Sequence, residues 1–211
     1  TCYYRVEAVN SAGSTFSPVN SFFVPVNALI AAYDFNNTYA DVNGANPFSA
    51  NTGTSFLEDR NGNPNAALAI VSLGSVATIP GLPYGNSPRT VSLWARIDTV
   101  LESFNFLFSY GTNSGYYGAY LNPSMLFNYG SGDGSNGVGT FQTAGWNHFA
   151  FTYDGTSSRI YKNGVLLSTG DRTWNTVNNN DIFRLGLTET GGPNYFNGYI
   201  DDLKIYNYAL S

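Results

Sequence analysis

The chain has 211 residues, with Lys+Arg 9 against Asp+Glu 14 and a formal net charge of −5. Hydrophobic residues make up 43% and aromatics 16%, which excludes a disordered chain. The acidic balance and the lack of any Lys or Arg run argue against a nucleic-acid partner, and no stretch approaches the roughly 20 apolar residues of a membrane span.

Charged residues reach only 11%, less than half the usual share of about 25%, so Asn, Ser, Thr, Gly and Tyr must build most of the surface. The length suits one full domain, or one domain plus a fragment. Cys2 is the only cysteine, so neither an intramolecular disulfide nor a Cys-based zinc site is expected. The polar, lysine-poor composition suggests an exported protein. The abrupt start at Thr1 reads as an excised piece, which makes the missing signal peptide uninformative.

In chain order, Cys2 to Asn10 reads as a strand entering a turn, with Thr15 to Val24 returning as its partner and Pro25-Val26-Asn27 as a linker. From there, short alternating runs bounded by Gly, Pro, Asn or Asp dominate, the pattern of an all-β sandwich. In Thr90 to Ile97, the residues Val91, Leu93, Ala95 and Ile97 share one face. In Trp146 to Tyr153, Phe149, Phe151 and Tyr153 share a face, with Trp146, His148 and Ala150 opposite. Asn163-Gly164 supplies the two positive-φ residues of a type I′ hairpin turn between Ile160-Tyr161 and Val165-Leu166. Phe183, Leu185 and Leu187 alternate with Ile182, Arg184 and Gly186. The last run, Tyr199 to Tyr206, puts Leu203 and Ile205 on one face. Gly- and Asn-rich loops are expected at 111–118, 128–139, 171–181 and 189–198.

Two resemblances follow from particular residues. The run Tyr4-Arg5-Val6-Glu7-Ala8-Val9-Asn10-Ser11-Ala12-Gly13 resembles the final hairpin of a fibronectin type III domain, although Cys2 stands where that family's corner tyrosine usually sits. Residues 1–27 then read as a remnant of such a domain plus linker. Residues 28–211 resemble the laminin-G-like, concanavalin-A-like jelly roll. The stretches that carry this are Ala32 to Asn36 followed by Asp41 to Asn46, then Ser87 to Trp94, Gly145 to Gly155, Tyr161 to Val165, and Phe196 to Ser211. The resemblance implies an all-β fold of two antiparallel sheets in a jelly-roll sandwich. Its core should include Phe35, Leu93, Trp94 or Ala95, Phe149, Phe151, Ile160, Leu185, Leu203 and Ile205.

Laminarinase-like glycoside hydrolases share this fold and need two carboxylates about 5 to 10 Å apart. Glu7, Glu58, Glu102 and Glu189 include no two that stand two or four residues apart, so the paired-Glu signature of those enzymes is absent. The adjacent pairs Glu58-Asp59 and Asp201-Asp202 would point to opposite faces of a strand. His148, the only histidine, reads as a strand residue packed beside Trp146. The run Gly130 to Gly137 lacks the Lys and helix of a phosphate loop.

Asp41 to Asn46 concentrates hard oxygen donors in a tight turn, without the spacing or final Glu of an EF-hand. Asp and Asn there can equally bond their own turn. The jelly-roll resemblance implies a structural calcium held by Asp41, Asn43 and Asp201, with Asp34 as an extra ligand. The loop aromatics and amides, Trp174 first, then Tyr116, Tyr117, Tyr129, Asn175 and Tyr195, are the candidate ligand-binding set. Rings stack on apolar sugar faces, and long loops on a rigid sandwich carry recognition residues.

The expected function is a non-catalytic carbohydrate-binding module of a secreted, multidomain, bacterial protein. Its partner would be a polysaccharide or glycan, neutral rather than anionic given the scarcity of cations. An adhesion or spacer module is the alternative, and a catalytic jelly roll a weaker one. A monomer is expected, with residues 1–24 docked on the jelly roll or pairing with another molecule by strand addition.

Overall fold

The computed structural model describes residues 2–11, 13–22, 27–50, 52–98, 100, 104–130, 132–139, 145–188 and 196–211. Among these the regular structure is all strand. The first four strands are β1 (Cys2–Tyr4), β2 (Glu7–Asn10), β3 (Gly13–Phe16) and β4 (Asn20–Phe22). Then come β5 (Leu29–Tyr33), β6 (Thr54–Leu57), β7 (Ala67–Ile70), β8 (Ser75–Thr78) and β9 (Arg89–Ile97). A meander follows: β10 (Asn105–Thr112), β11 (Gly115–Leu121), β12 (Met125–Gly130) and β13 (Gly134–Gly139). The chain closes with β14 (Trp146–Tyr153), β15 (Ser157–Lys162), β16 (Val165–Asp171), β17 (Ile182–Leu185) and β18 (Gly198–Tyr206).

Two antiparallel sheets form the sandwich. One has six strands in the order β13-β12-β11-β10-β17-β8; the other runs β16-β15-β14-β9-β18-β7-β6, with β5 also paired to β18. The first and last strands of the jelly roll are therefore neighbours, as expected of domain ends. Alternation fixes what each strand buries: Val91, Leu93, Ala95, Phe149, Phe151, Tyr153, Leu203 and Ile205 all face the core, while Trp94 is half-exposed. Phe108 of the six-stranded sheet meets Phe151 of the other at 5.7 Å between ring centroids, closing the layer. The Asn163-Gly164 turn takes its positive φ values of 50° and 78°, so β15 and β16 form the expected hairpin.

Arg89 is fully buried, and its hydrogen bonds go to carbonyl and hydroxyl oxygens. Its guanidinium donates to Ser87 O (2.9 Å), Gly85 O (2.7 Å), Thr176 Oγ1 (2.7 Å) and Tyr110 Oη (3.3 Å). It also lies against the rings of Tyr117 and Tyr153. Carbonyls and ring faces thus compensate the charge, and the contact clamps segment 174–176 to the sheets.

The expected loops 111–118 and 128–139 are mostly strand. Gly and Asn there mark tight turns and close strand approach within a meander, and Tyr117, Ala119 and Leu121 supply the period-two burial. The opening segment does form a hairpin, with Cys2 opposite Phe22 and Asn10 opposite Gly13. Its described side chains on Glu7–Asn10 and Gly13–Phe16 are all exposed, so this part is not docked on the sandwich as expected.

Candidate functional site: an aromatic strip on the six-stranded sheet

In β11, Tyr117, Ala119 and Leu121 point into the core, so Tyr116, Gly118 and Tyr120 face the other way. In β12 the buried set is Leu126, Asn128 and Gly130, which turns Met125, Phe127 and Tyr129 to that same outer face. Phe106 joins them because the register slips between Phe106 and Phe108, letting Phe106 sit opposite Tyr120 while Phe108 enters the core. The result is six rings in contact. Tyr120 lies at the centre, 5.1 Å from Phe104 and Phe106, 4.6 Å from Phe127 and 5.5 Å from Tyr129. Tyr116 bridges the far side, 5.3 Å from Tyr129 and 5.9 Å from Phe106. Phe104 is 48% exposed, Tyr116, Phe127 and Tyr129 are half-buried, and Phe106 and Tyr120 lie beneath them. Burial, then the neighbouring Tyr129 hydroxyl, push the Tyr120 phenol up to about 12. Among the described strand residues of this face none is Asp or Glu.

Of the five expected ligand-binding residues that the structure describes, Tyr116 and Tyr129 lie on this strip. Tyr117 points to the core and is fully buried. Trp174 is also 0% exposed, a correction to its expected place on a recognition loop. Its ring packs between Tyr153 (4.7 Å) and Tyr117 (5.4 Å), its Nε1 donates to Gly134 O at 3.1 Å, and its amide donates to Tyr153 Oη. Gly130 makes the room: a Cβ there would lie 2.6 Å from Trp174 Cγ. Segment 174–176 crosses the sandwich and plugs it, with Thr176 bridged to Gly85. Asn175 is exposed, and its backbone amide donates to Asp133 Oδ2 at 2.9 Å, away from the strip. Tyr195 lies outside the described residues. Phe104, Phe106, Tyr120 and Phe127 were missed because their alternation was hidden in segments rich in Gly and Asn.

A second polar feature is a cleft of about 220 Å³ lined by Asp34, Asn36, Asp59, Arg60, Asn61, Asn63, Asp201 and Asp202. It brings Asp34 and Asp201 together, as expected, but not Asp41 or Asn43. Asp41 Oδ1 instead accepts the amides of Asn43 (3.0 Å) and Ala45 (2.9 Å) of its own turn. The Asp59 turn repeats that geometry, with Oδ1 accepting from Asn61 and Asn63, and it is this turn that walls the cleft. The amides of Asn63 and Asn61 hold the Asp59 carboxyl down at about 2.

Asp202 has a φ of 47°, and β18 is irregular between Asp201 and Lys204. The two adjacent carboxylates therefore do not point to opposite faces, as a regular strand would require: both accept from Arg60, Asp202 at 2.6 Å. Burial, then the charge of Asp202, raises the Asp201 carboxyl to about 6. The oxygen-rich lining suits a hard cation by donor chemistry, yet the cation seated there is Arg60. No group of three or more His, Cys, Asp or Glu among the described residues converges to hold a metal ion.

His148 packs edge-on against Trp94 at 5.6 Å, a different tryptophan from the one expected.

The fold and the sequence agree on a family. A family model described as the concanavalin A-like lectin/glucanases superfamily, Laminin_G_3, matches residues 72–211, and the chain belongs to that family. No curated protein matches it. Among solved structures, domain 4 of AbnA, a GH43 extracellular arabinanase from Geobacillus stearothermophilus, solved in complex with arabinotriose, superposes with a TM-score of 0.67. The identity is 24%, over 88% of this chain and 95% of that one. The binding domain of Paraclostridial Mosquitocidal Protein 1 gives a TM-score of 0.63 at 17% identity, over 87% of this chain and 49% of that one. The sialidase of Trypanosoma rangeli gives 0.62 at 16%, over 87% and 31%. This chain thus spans about half of the toxin domain's chain and a third of the sialidase's. Among the described residues no helix is long and apolar enough to cross a membrane.

Proposed function

We propose that this chain is a non-catalytic carbohydrate-binding module of a secreted protein, which holds a neutral glycan on the aromatic strip of its six-stranded sheet. The observation that carries this reading is the contiguous set of six rings on a sheet face turned away from the core. Such a surface offers apolar faces to sugar rings, and the one charged side chain among the described strand residues of this face is Arg184, on β17 beyond the rings. The likeness to an arabinanase domain solved with arabinotriose supports the same ligand class. Non-catalytic binding is supported by the absence of Asp and Glu among the described strand residues of the strip. Asp201 and Asp202, adjacent carboxylates in the cleft that Asp34 and Asp59 also line, are both engaged by Arg60.

Calcium is a separate proposal. With Arg60 turned out to solvent, Asp201 and Asp202 would be free to take a hard cation in this cleft, whose walls also carry Asp34 and Asp59.

Affinity electrophoresis of the whole chain through gels of arabinan, laminarin and a uronic polymer tests the glycan reading. A neutral gel should retain the protein and the uronic gel should not. Tyr129→Ala and Phe127→Ala should each weaken retention about fivefold, from loss of roughly 1 kcal/mol of ring contact, with the melting temperature nearly unchanged. Retention that survives both substitutions would remove the strip from the reading, and no retention on any gel would favour a spacer or adhesion module.

A further inference from the structure

On the opposite side of the molecule, the outer face of the eight-stranded sheet, the tail after β18 folds back across β9 and β14. Thr90 Oγ1 fastens it, donating to Tyr208 O at 2.8 Å and accepting from Leu210 N at 2.9 Å. Between this tail and the β15–β16 turn lies a cavity of about 190 Å³ lined by His148, Ala150, Thr152, Tyr161, Gly164, Leu210 and Ser211. His148, Ala150 and Thr152 are alternate residues of β14, and Tyr161 stands opposite Ala150 in the neighbouring strand. Thr152 is fully buried, and its Oγ1 has no hydrogen-bond partner.

Burying a hydroxyl without a partner costs roughly 1–3 kcal/mol, so a partner from outside the chain would recover that energy. Water is a poor candidate. The space equals about six waters of bulk volume, each needing two to four polar contacts, while the walls are mostly the carbon of Ala150, Leu210 and the Tyr161 and His148 rings. No lining side chain is Asp, Glu, Lys or Arg. Burial, with Lys204 and Arg60 nearby outweighing Asp202, lowers the His148 pKa, which leaves a neutral imidazole with one donor and one acceptor at pH 7. A suitable occupant is compact and uncharged, with an apolar face for the Tyr161 and His148 rings and hydroxyls for Thr152 and the imidazole. Those are the properties of a single neutral sugar ring.

We propose that this cavity is a second binding site, independent of the aromatic strip, for one neutral sugar residue whose hydroxyl pairs with Thr152. The test is a heteronuclear NMR titration of the ¹⁵N-labelled full chain with D-glucose, D-galactose and L-arabinose in turn. At least one sugar should shift the amides of Ala150, Thr152 and Gly164 saturably in the millimolar range. Thr152→Val, which keeps the shape and removes the hydroxyl, should weaken that binding about tenfold while the melting temperature holds or rises. Ala150→Leu should fill the cavity and abolish the shifts; if it fails to fold, the valine variant decides. Tyr129→Ala should leave the shifts in place, which separates this site from the strip. The proposal is overturned if none of the three sugars gives saturable shifts, or if Thr152→Val binds as well as the wild type. A fall in melting temperature for Thr152→Val would also overturn it, because the hydroxyl would then have a partner within the fold. So would loss of the shifts in Tyr129→Ala.

Discussion

Truncating Trp174 to alanine separates packing from recognition. In this structure its indole fills the space left by Gly130 and touches two buried tyrosine rings. Removing a buried Trp side chain costs about 3–5 kcal/mol, and the lost Nε1–H bond to Gly134 O adds about 1. In a domain of this size each kcal/mol lowers the melting temperature by about 2–4 °C, so Trp174→Ala should melt about 10–20 °C lower. Trp174→Phe keeps a ring but loses the donor and some volume, and should cost about a third as much. Calorimetry gives the first quantity, and gel retention on a neutral polysaccharide, measured well below the lowered melting temperature, gives the second. Retention should be unchanged, since the indole faces the core and the strip faces away from it. An unaltered melting temperature together with lost retention would refute the burial argument and return Trp174 to the ligand surface.

Gly130→Ala should destabilise the domain by about 1–3 kcal/mol through overlap with the indole, and Trp174→Phe in the same chain should recover part of that loss, as a double-mutant cycle by calorimetry would show. The Asp201 carboxyl sits near 6 in the folded chain, above its ordinary value near 4, so the native state holds that proton more tightly. Its contribution to stability is therefore complete below about pH 4 and lost as the pH rises through about 6, up to about 3 kcal/mol. Urea midpoints between pH 4 and 7 should show that decline in the wild type and a flatter profile in Asp201→Asn; parallel profiles would contradict it. If calcium displaces Arg60 from the cleft, a chelator should lower the melting temperature and Asp201→Ala should abolish the effect, whereas identical melting with and without chelator, after metal removal, would rule the ion out.

The long strands were legible because their faces alternate cleanly. Trp146–Tyr153 and the strand ending at Ile97 were expected to within a residue, and eight of the named core positions, from Phe35 to Ile205, are buried without qualification. The meander was not legible. Its Gly and Asn residues read as loop, because a glycine that admits a crossing tryptophan looks, in sequence, like one that permits a turn. Trp174 misled for the complementary reason: it has no alternating apolar neighbours, and its packing partners lie 21 or more residues away, in Tyr153, Gly134, Gly130 and Tyr117. The convergence of Asp201 and Asp202 depends on one left-handed residue inside a strand, which no period-two reading contains.

All six rings of the strip come from residues 104–129, a single stretch spanning three consecutive strands, while the frame beneath draws on strands from both ends of the chain. Ligand preference is then written in one short, uninterrupted passage of sequence. Exchanging that passage between related chains would transplant an entire contact surface in one recombination event. A family built this way can diversify what it recognises by trading cassettes, with its architecture left as inherited stock.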